Sequence, residues 1–301
     1  MGKIMCTAIN DISKIHLFGR TLDLEYSLDE QVVITPRRYA FDFLHEGKSY
    51  EHYAVIGAAH LSLGTPLYYD AMNEKGLCVA ALRLPAITVY HEKQPERRNL
   101  ASFELILWLL CHFDSAKAAR EAMTDVNITP ESFSDGLSST PLHWLVGDKN
   151  ESFVIESTAE GIKIYENDYG VLTNAPDFPA QCKLFEENGD FSPDYLSSTS
   201  RFARAISAKE HTAKESRRTE SISRFFHIMG TVNQPNGLFR GDERQMRTVY
   251  TACMDTERAT YYFTTYDCRK IRGVRLKNAH LDLDDLTFFP MKRKEWMHYL
   301  N

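Results

Sequence analysis

Three side chains near the start of the chain could cooperate chemically: Cys6, Arg20 fourteen residues later, and Asp23 three beyond that. A thiol, a guanidinium and a carboxylate can supply a nucleophile, a charge that favours its anion, and an orienting partner. Met5 immediately precedes Cys6. If translation starts at Met5, or if residues 1–5 are removed, Cys6 becomes the first residue and carries a free α-amine beside its thiol. Unperturbed, such an amine titrates at about 7.7–8.0 and a thiol at about 8.5, so a modest shift yields a thiolate and a proton carrier near neutral pH. No histidine partner is then required. Residues 1–5 are read accordingly as a leader or misplaced start that is removed, and 6–301 as one domain. Taken alone, Cys6 reads more readily as an ordinary strand cysteine.

Arg20 and Asp23 sit inside Phe18-Gly19-Arg20-Thr21-Leu22-Asp23, a strand-like stretch that is otherwise apolar. Charges in a strand interior need a buried partner or a function. A structural ion link between strands is the alternative to a catalytic role.

Composition narrows the classes. The 301 residues are 43% hydrophobic and 25% charged, as in an ordinary globular protein, and are long enough to bury a core without staples. A net charge of −6 offers no basic field for nucleic acid or anionic lipid. The charged run Lys209–Arg218 reads as a solvated helix end. The longest apolar run, Leu105 to Cys111, is far short of the roughly 20 residues that span a bilayer. The first residues have no apolar segment of a secretory signal, so a cytoplasmic location is expected. The six cysteines include no Cys-x-x-Cys pair and the histidines no His-Glu-x-x-His, so neither a metal nor another cofactor is expected.

Strand patterns dominate the first third: Ile15–Leu24, Gln31–Thr35, Tyr53–Gly57 and Gly76–Leu84. Helical spacing follows over Leu100–His112 and Ser115–Met123, with Ser115 as N-cap. His143–Val146, Ser152–Glu156, Ile162–Tyr165 and Gly170–Thr173 read as an antiparallel meander. Helices are expected over Ala180–Glu187, Ser200–Lys209 and Ser221–Met229, then a hairpin of Thr248–Met254 with Thr260–Thr265. Segregated runs of strands and helices predict an α+β fold rather than alternating βαβ units.

Nine short motifs in order resemble the choloylglycine hydrolases, N-terminal nucleophile hydrolases that include bile salt hydrolases and penicillin V acylases. They are Met5-Cys6-Thr7, Phe18 to Asp23, Ile34-Thr35-Pro36-Arg37, Met72-Asn73-Glu74-Lys75-Gly76-Leu77, Leu142-His143-Trp144, Val171 to Pro176, Gly189 to Pro193, Ser200-Arg201-Phe202, and Tyr261-Tyr262 through Thr265-Tyr266-Asp267. The resemblance implies a four-layer αββα sandwich of two antiparallel sheets between helical layers. It implies Cys6 as nucleophile, Arg20 beside its sulfur, Asp23 accepting from the α-amine, and Arg201 completing the charged network. It also implies that the Asn174 amide and the Arg83 backbone N–H donate to the oxyanion; without the family context Asn174 reads as a turn residue before Ala-Pro.

Arg83 departs from the Asn or Tyr usual in the family. Its side chain either pairs with an anionic group of the substrate or points to solvent from a strand end. Leu22, His60 and Arg83 are the expected substrate contacts, although His60 also suits an ordinary loop. The segment 175–188 is shorter than in many members, leaving a homodimer and a homotetramer both open. The activity implied is hydrolysis of glycine- or taurine-conjugated bile salts, small amphipathic acyl amides. Penicillin V or another acyl amide such as an N-acyl homoserine lactone is the alternative substrate, and a non-catalytic bile-acid-binding homologue the alternative of another class.

Overall fold

Apolar and β-branched residues on both sides of polar turns and loops make strand the only regular structure among the described residues before 102. The computed structural model describes residues 5–189, 195–237 and 246–292. Its strands begin with β1 (Met5–Ile12), β2 (His16–Leu24), β3 (Gln31–Thr35), β4 (Phe41–Phe43), β5 (Gly47–Ser49), β6 (Val55–Ser62), β7 (Thr65–Asn73), β8 (Cys78–Arg83) and β9 (Arg98–Ala101). Helices α1 (Leu105–His112) and α2 (Ala116–Ala122) follow, then β10 (Val126–Thr129), β11 (Leu142–Gly147), β12 (Ser152–Thr158), β13 (Gly161–Glu166) and β14 (Val171–Leu172). The remainder is α3 (Phe178–Asn188), α4 (Ser198–His211), α5 (Arg218–Gly230), β15 (Arg247–Asp255), β16 (Thr260–Thr265), β17 (Cys268–Arg275) and β18 (Thr287–Pro290).

Among the described residues, one antiparallel sheet has six strands in the order β14-β1-β2-β15-β16-β17, and a second has eight in the order β13-β12-β11-β8-β7-β6-β3-β18. A core of Ile9, Phe18, Ala80, Leu145, Phe202 and Phe225 among others runs between the sheets and under α3 to α5. A second core joins the outer face of the eight-stranded sheet to α1 and α2 through Trp108, Leu109 and Trp144. This is the expected αββα layering. Because β1 and β2 are covered on both faces, every residue of β2 is buried, Arg20 and Asp23 included.

Three local expectations are corrected. Gly170–Thr173 does not continue the meander; its strand β14 leaves the eight-stranded sheet's partners and pairs with β1, Leu172 opposite Ala8. Residues 100 and 101 are not helical, because β9 pairs in parallel with β10 and the helix starts only after Glu104, whose carboxylate accepts from the Ala101 and Leu44 N–H groups. Lys209 is not solvated: its ammonium donates to the Asn10 and Tyr169 carbonyls. Ser115 caps α2 as expected, accepting from Ala118 N–H.

Candidate active site

The β1–β2 register sets Cys6 opposite Leu22 and Met5 opposite Asp23, at the end of two central strands. Cys6 is 1% exposed. Its Sγ accepts from Arg20 Nη2. That guanidinium is fixed by carbonyls: Nη1 donates to Tyr69 O at 3.0 Å and Ala81 O at 2.5 Å, and Nε to Thr21 O at 3.2 Å. Asp70 Oδ2 lies 3.9 Å from Arg20 Nε and accepts from Tyr250 Oη, while Asp70 Oδ1 accepts from Tyr261 Oη at 2.6 Å. Arg20 therefore spans the two sheets, its charge shared between the sulfur and a buried carboxylate.

The crossing of β14 to the edge of β1 brings Asn174 to Cys6. Asn174 Oδ1 accepts from Cys6 N at 2.9 Å and from Arg201 Nη2 at 2.8 Å. Arg201 projects from the first turns of α4, is fully buried, and also donates to Cys6 O and to Thr7 Oγ1. Asn174 Nδ2 donates to Arg83 O at 2.8 Å. Leu84 N–H bonds Pro141 O across to β11, so the alternate residue Arg83 turns its backbone polar groups the other way, toward Asn174. In a strand the N–H and C=O of one residue point to the same side, so the Arg83 N–H shares that direction.

Asp23 is fully buried and accepts from Thr248 Oγ1 at 2.7 Å. It stands across from Met5, while the Cys6 N–H is held by Asn174. Burial pushes the Asp23 carboxyl up to about 6 against the lowering influence of Arg201, Thr248 and Arg20. Burial likewise pushes the Cys6 thiol up, Asp23 adds to the rise, and Arg20 and Arg201 oppose it. Two guanidiniums, two carboxylates and a thiol thus meet in a water-poor centre where each charge acts strongly on the others.

Cys6 and Arg20 open on a cavity of about 250 Å³ walled chiefly by apolar side chains such as Leu24, Phe103, Ile106, Phe133 and Trp144. All three expected substrate contacts, Leu22, His60 and Arg83, line it. Arg83 is half-buried there, and His60 Nδ1 lies 3.1 Å from Leu28 O. The serines Ser102 and Ser139 supply polar edges.

Sequence reasoning did not pick out Asp70, Thr248, Tyr250 or Tyr261 as part of the centre. The signal that marks Arg20 and Asp23, a charge inside an apolar strand, was present at Tyr69-Asp70-Ala71 as well. The hydroxyls carry no such signal. Of the motif Gly189 to Pro193, residues 190–193 lie outside the described residues, as do residues 1–4 of the expected leader.

Comparison with known proteins agrees with this geometry. The family model described as linear amide C–N hydrolases, choloylglycine hydrolase family, matches residues 6–189 and 188–289, beginning at Cys6. The chain is 39% identical to the bile salt hydrolase/transferase of Lactiplantibacillus plantarum, over 99% of this chain and all of that one. A crystal structure of a conjugated bile acid hydrolase mutant from Clostridium perfringens superposes with a TM-score of 0.89 at 26% identity, covering 99% of this chain and 100% of that one. The penicillin V acylase of Agrobacterium tumefaciens shares the fold, with a TM-score of 0.79 at 19% identity over 94% of this chain and 90% of that one. A thiol clamped by an arginine at the head of a central strand, in a chain matched from that residue onward, makes this protein a member of the choloylglycine hydrolase family of linear amide C–N hydrolases.

Proposed function

We propose that the protein hydrolyses the amide bond of glycine- or taurine-conjugated bile salts, with Cys6 as nucleophile. The observation that carries this reading is the Cys6 sulfur, held by Arg20, at the floor of an apolar cavity with an arginine, Arg83, on its wall. An apolar cavity suits a rigid hydrocarbon acyl group, and a cation at its edge suits the carboxylate or sulfonate of the conjugated amino acid. The named activities of the relatives point the same way.

In the mechanism the residues before Cys6 are removed and its α-amine takes the thiol proton. The thiolate attacks the amide carbon, and the oxyanion forms toward the Asn174 amide and the Arg83 N–H, an arrangement that lowers an acyl-transfer barrier. The C–N bond breaks as the ammonium returns its proton to the departing nitrogen. Water, deprotonated by the same amine, then cleaves the thioester and frees the acid and Cys6. Asp23 orients the ammonium, and Arg201 fixes the Asn174 oxygen.

Amine release from glycocholate, taurocholate and penicillin V, measured side by side on mass-verified protein, tests the reading. Release of glycine or taurine is expected. Release from penicillin V alone would move the chain to the acylase activity, and saturable bile-acid binding without product would make it a binder. Among the described residues no helix is long and apolar enough to cross a membrane; a cytoplasmic enzyme assembled as a homodimer or homotetramer accompanies the proposal, and sedimentation velocity distinguishes the two assemblies.

A further inference from the structure

His143 and Glu156 are a fully buried pair on the inner face of the eight-stranded sheet, outside the cluster around Cys6. They face each other across β11 and β12. Asp148 N–H bonds Glu151 O at the end of that hairpin, so alternation makes 143 and 156 a non-hydrogen-bonded pair, the kind whose side chains come closest. His143 Nδ1 lies 3.1 Å from Glu156 Oε1. The other nitrogen, Nε2, is 2.9 Å from Thr173 O. A carbonyl only accepts, so Nε2 carries the hydrogen and donates it across the gap between the sheets. Glu156 Oε1 also accepts from Phe178 N–H at 2.9 Å.

These two bonds grip the loop 173–178 on either side of Asn174. Between them the loop is tied to the helices: Gln181 Nε2 donates to the Asn174 and Pro176 carbonyls, and Asn174 N–H donates to Ser198 Oγ. Asn174 thus has its backbone fixed by the helical layer, while the approach of its loop to the C-terminal end of β8 is set from the eight-stranded sheet. That end carries Arg83, to whose carbonyl the Asn174 amide donates.

We infer that His143 and Glu156 are positioning residues that hold the Asn174 amide in register with Cys6 and Arg83, acting on turnover through Asn174 and not by touching substrate. The inference rests on the role given to Asn174 above. Burying an imidazole and a carboxyl group in the core is costly where apolar residues would pack, and a precise placement of an oxyanion donor is a reason for the site to keep them.

A double-mutant cycle on bile salt hydrolysis tests it. Asn174→Ala is expected to lower kcat about 10²-fold, as removal of an oxyanion donor does. His143→Phe and Glu156→Leu are each expected to lower kcat about tenfold or more with KM nearly constant, since a displacement of about 1 Å can cost that much. Combined with Asn174→Ala they should add little further loss. Glu156→Gln is expected to recover most of the activity that Glu156→Leu loses, because its amide oxygen can still accept from Phe178 N–H and so hold the end of the loop, which leucine cannot do. Iodoacetamide alkylation of Cys6, which forms no oxyanion, should slow far less than kcat in His143→Phe, even though Asn174 Oδ1 also holds Cys6 N. Losses that add in the double variants, or slowed alkylation matching the fall in kcat, overturn the inference while leaving the role of Asn174 intact. Wild-type kcat in Asn174→Ala overturns that role itself. Should His143→Phe not fold, the comparison of Glu156→Gln with Glu156→Leu decides alone.

Discussion

At the scale of single residues, the site separates a group that reacts from groups that set its charge. Cys6→Ser keeps the shape of the side chain but replaces the sulfur that Arg20 holds, and a hydroxyl at neutral pH is a far weaker nucleophile. Turnover should fall on the order of 10³-fold or more, read as amine release, with bile-salt binding retained. Asp23 gives a pH dependence whose sign follows from its surroundings. Burial holds its carboxyl near 6 while Cys6 is peptide-bonded. A liberated ammonium beside it favours the charged form and lowers that value. Since the carboxylate is the form that orients an ammonium, kcat/KM should rise with pH along a limb whose midpoint lies at or below pH 6. Asp23→Asn should lose about 10- to 100-fold in kcat/KM along with that acidic limb; an unchanged limb in the variant would assign it to another group.

Among elements, the strands that carry chemistry are those packed on both faces. Gly19, next to Arg20, shows how little room β2 has: a Cβ there would stand 2.0 Å from Ala252 O and 2.9 Å from Phe225 Cε1. The obstacle on one side is the backbone of β15, so Gly19→Ala must push two paired strands or α5 apart. A cost of about 1–3 kcal/mol is expected, roughly 2–4 °C in Tm per kcal/mol for a chain of this size class, with kcat falling as Arg20 shifts. Thermal unfolding and turnover on the same preparation check both. The same packing explains what could be read in advance. Arg20 and Asp23 stood out because their strand had no polar face to place them on. Gln31–Thr35, bounded by turn residues, matches β3 to the residue. The change of sheet by β14 was invisible, since a short apolar strand has the same period whichever neighbour it pairs with, and Asn174 reached Cys6 only through that crossing. Leu100 was drawn into the helix because one apolar residue before a helical run fits either element; its parallel pairing with β10 is a long-range fact. Thr248, Tyr250 and Tyr261 stayed hidden because hydroxyls in strands are ordinary and only the three-dimensional meeting at Asp23 and Asp70 distinguishes them.

Across the whole molecule, the four layers converge on one electrically balanced point. The six-stranded sheet contributes Arg20 and Asp23, the eight-stranded sheet Asp70, and the helical layer Arg201. Burial pushes the Asp70 carboxyl up, while Arg20 and the two tyrosine hydroxyls that donate to it favour the carboxylate; with Asp70 ionised, two positive groups meet two negative ones. A Cys6 thiolate added to this set is one negative charge in excess, buried far from water, and burial indeed pushes the thiol up. The excess vanishes when the bond before Cys6 is cut and its nitrogen becomes an ammonium. Removal of residues 1–5 would then do more than uncover a base: it would supply the third positive charge that lets the sulfur ionise inside the fold. The processed chain, identified by an intact mass beginning at Cys6, should be alkylated by iodoacetamide at pH 7 roughly tenfold faster than a version that keeps Met5, equivalent to about one unit in the thiol pKa. Equal rates in the two forms would mean that Arg20 and Arg201 suffice to hold the thiolate, and that the α-amine serves only to carry protons.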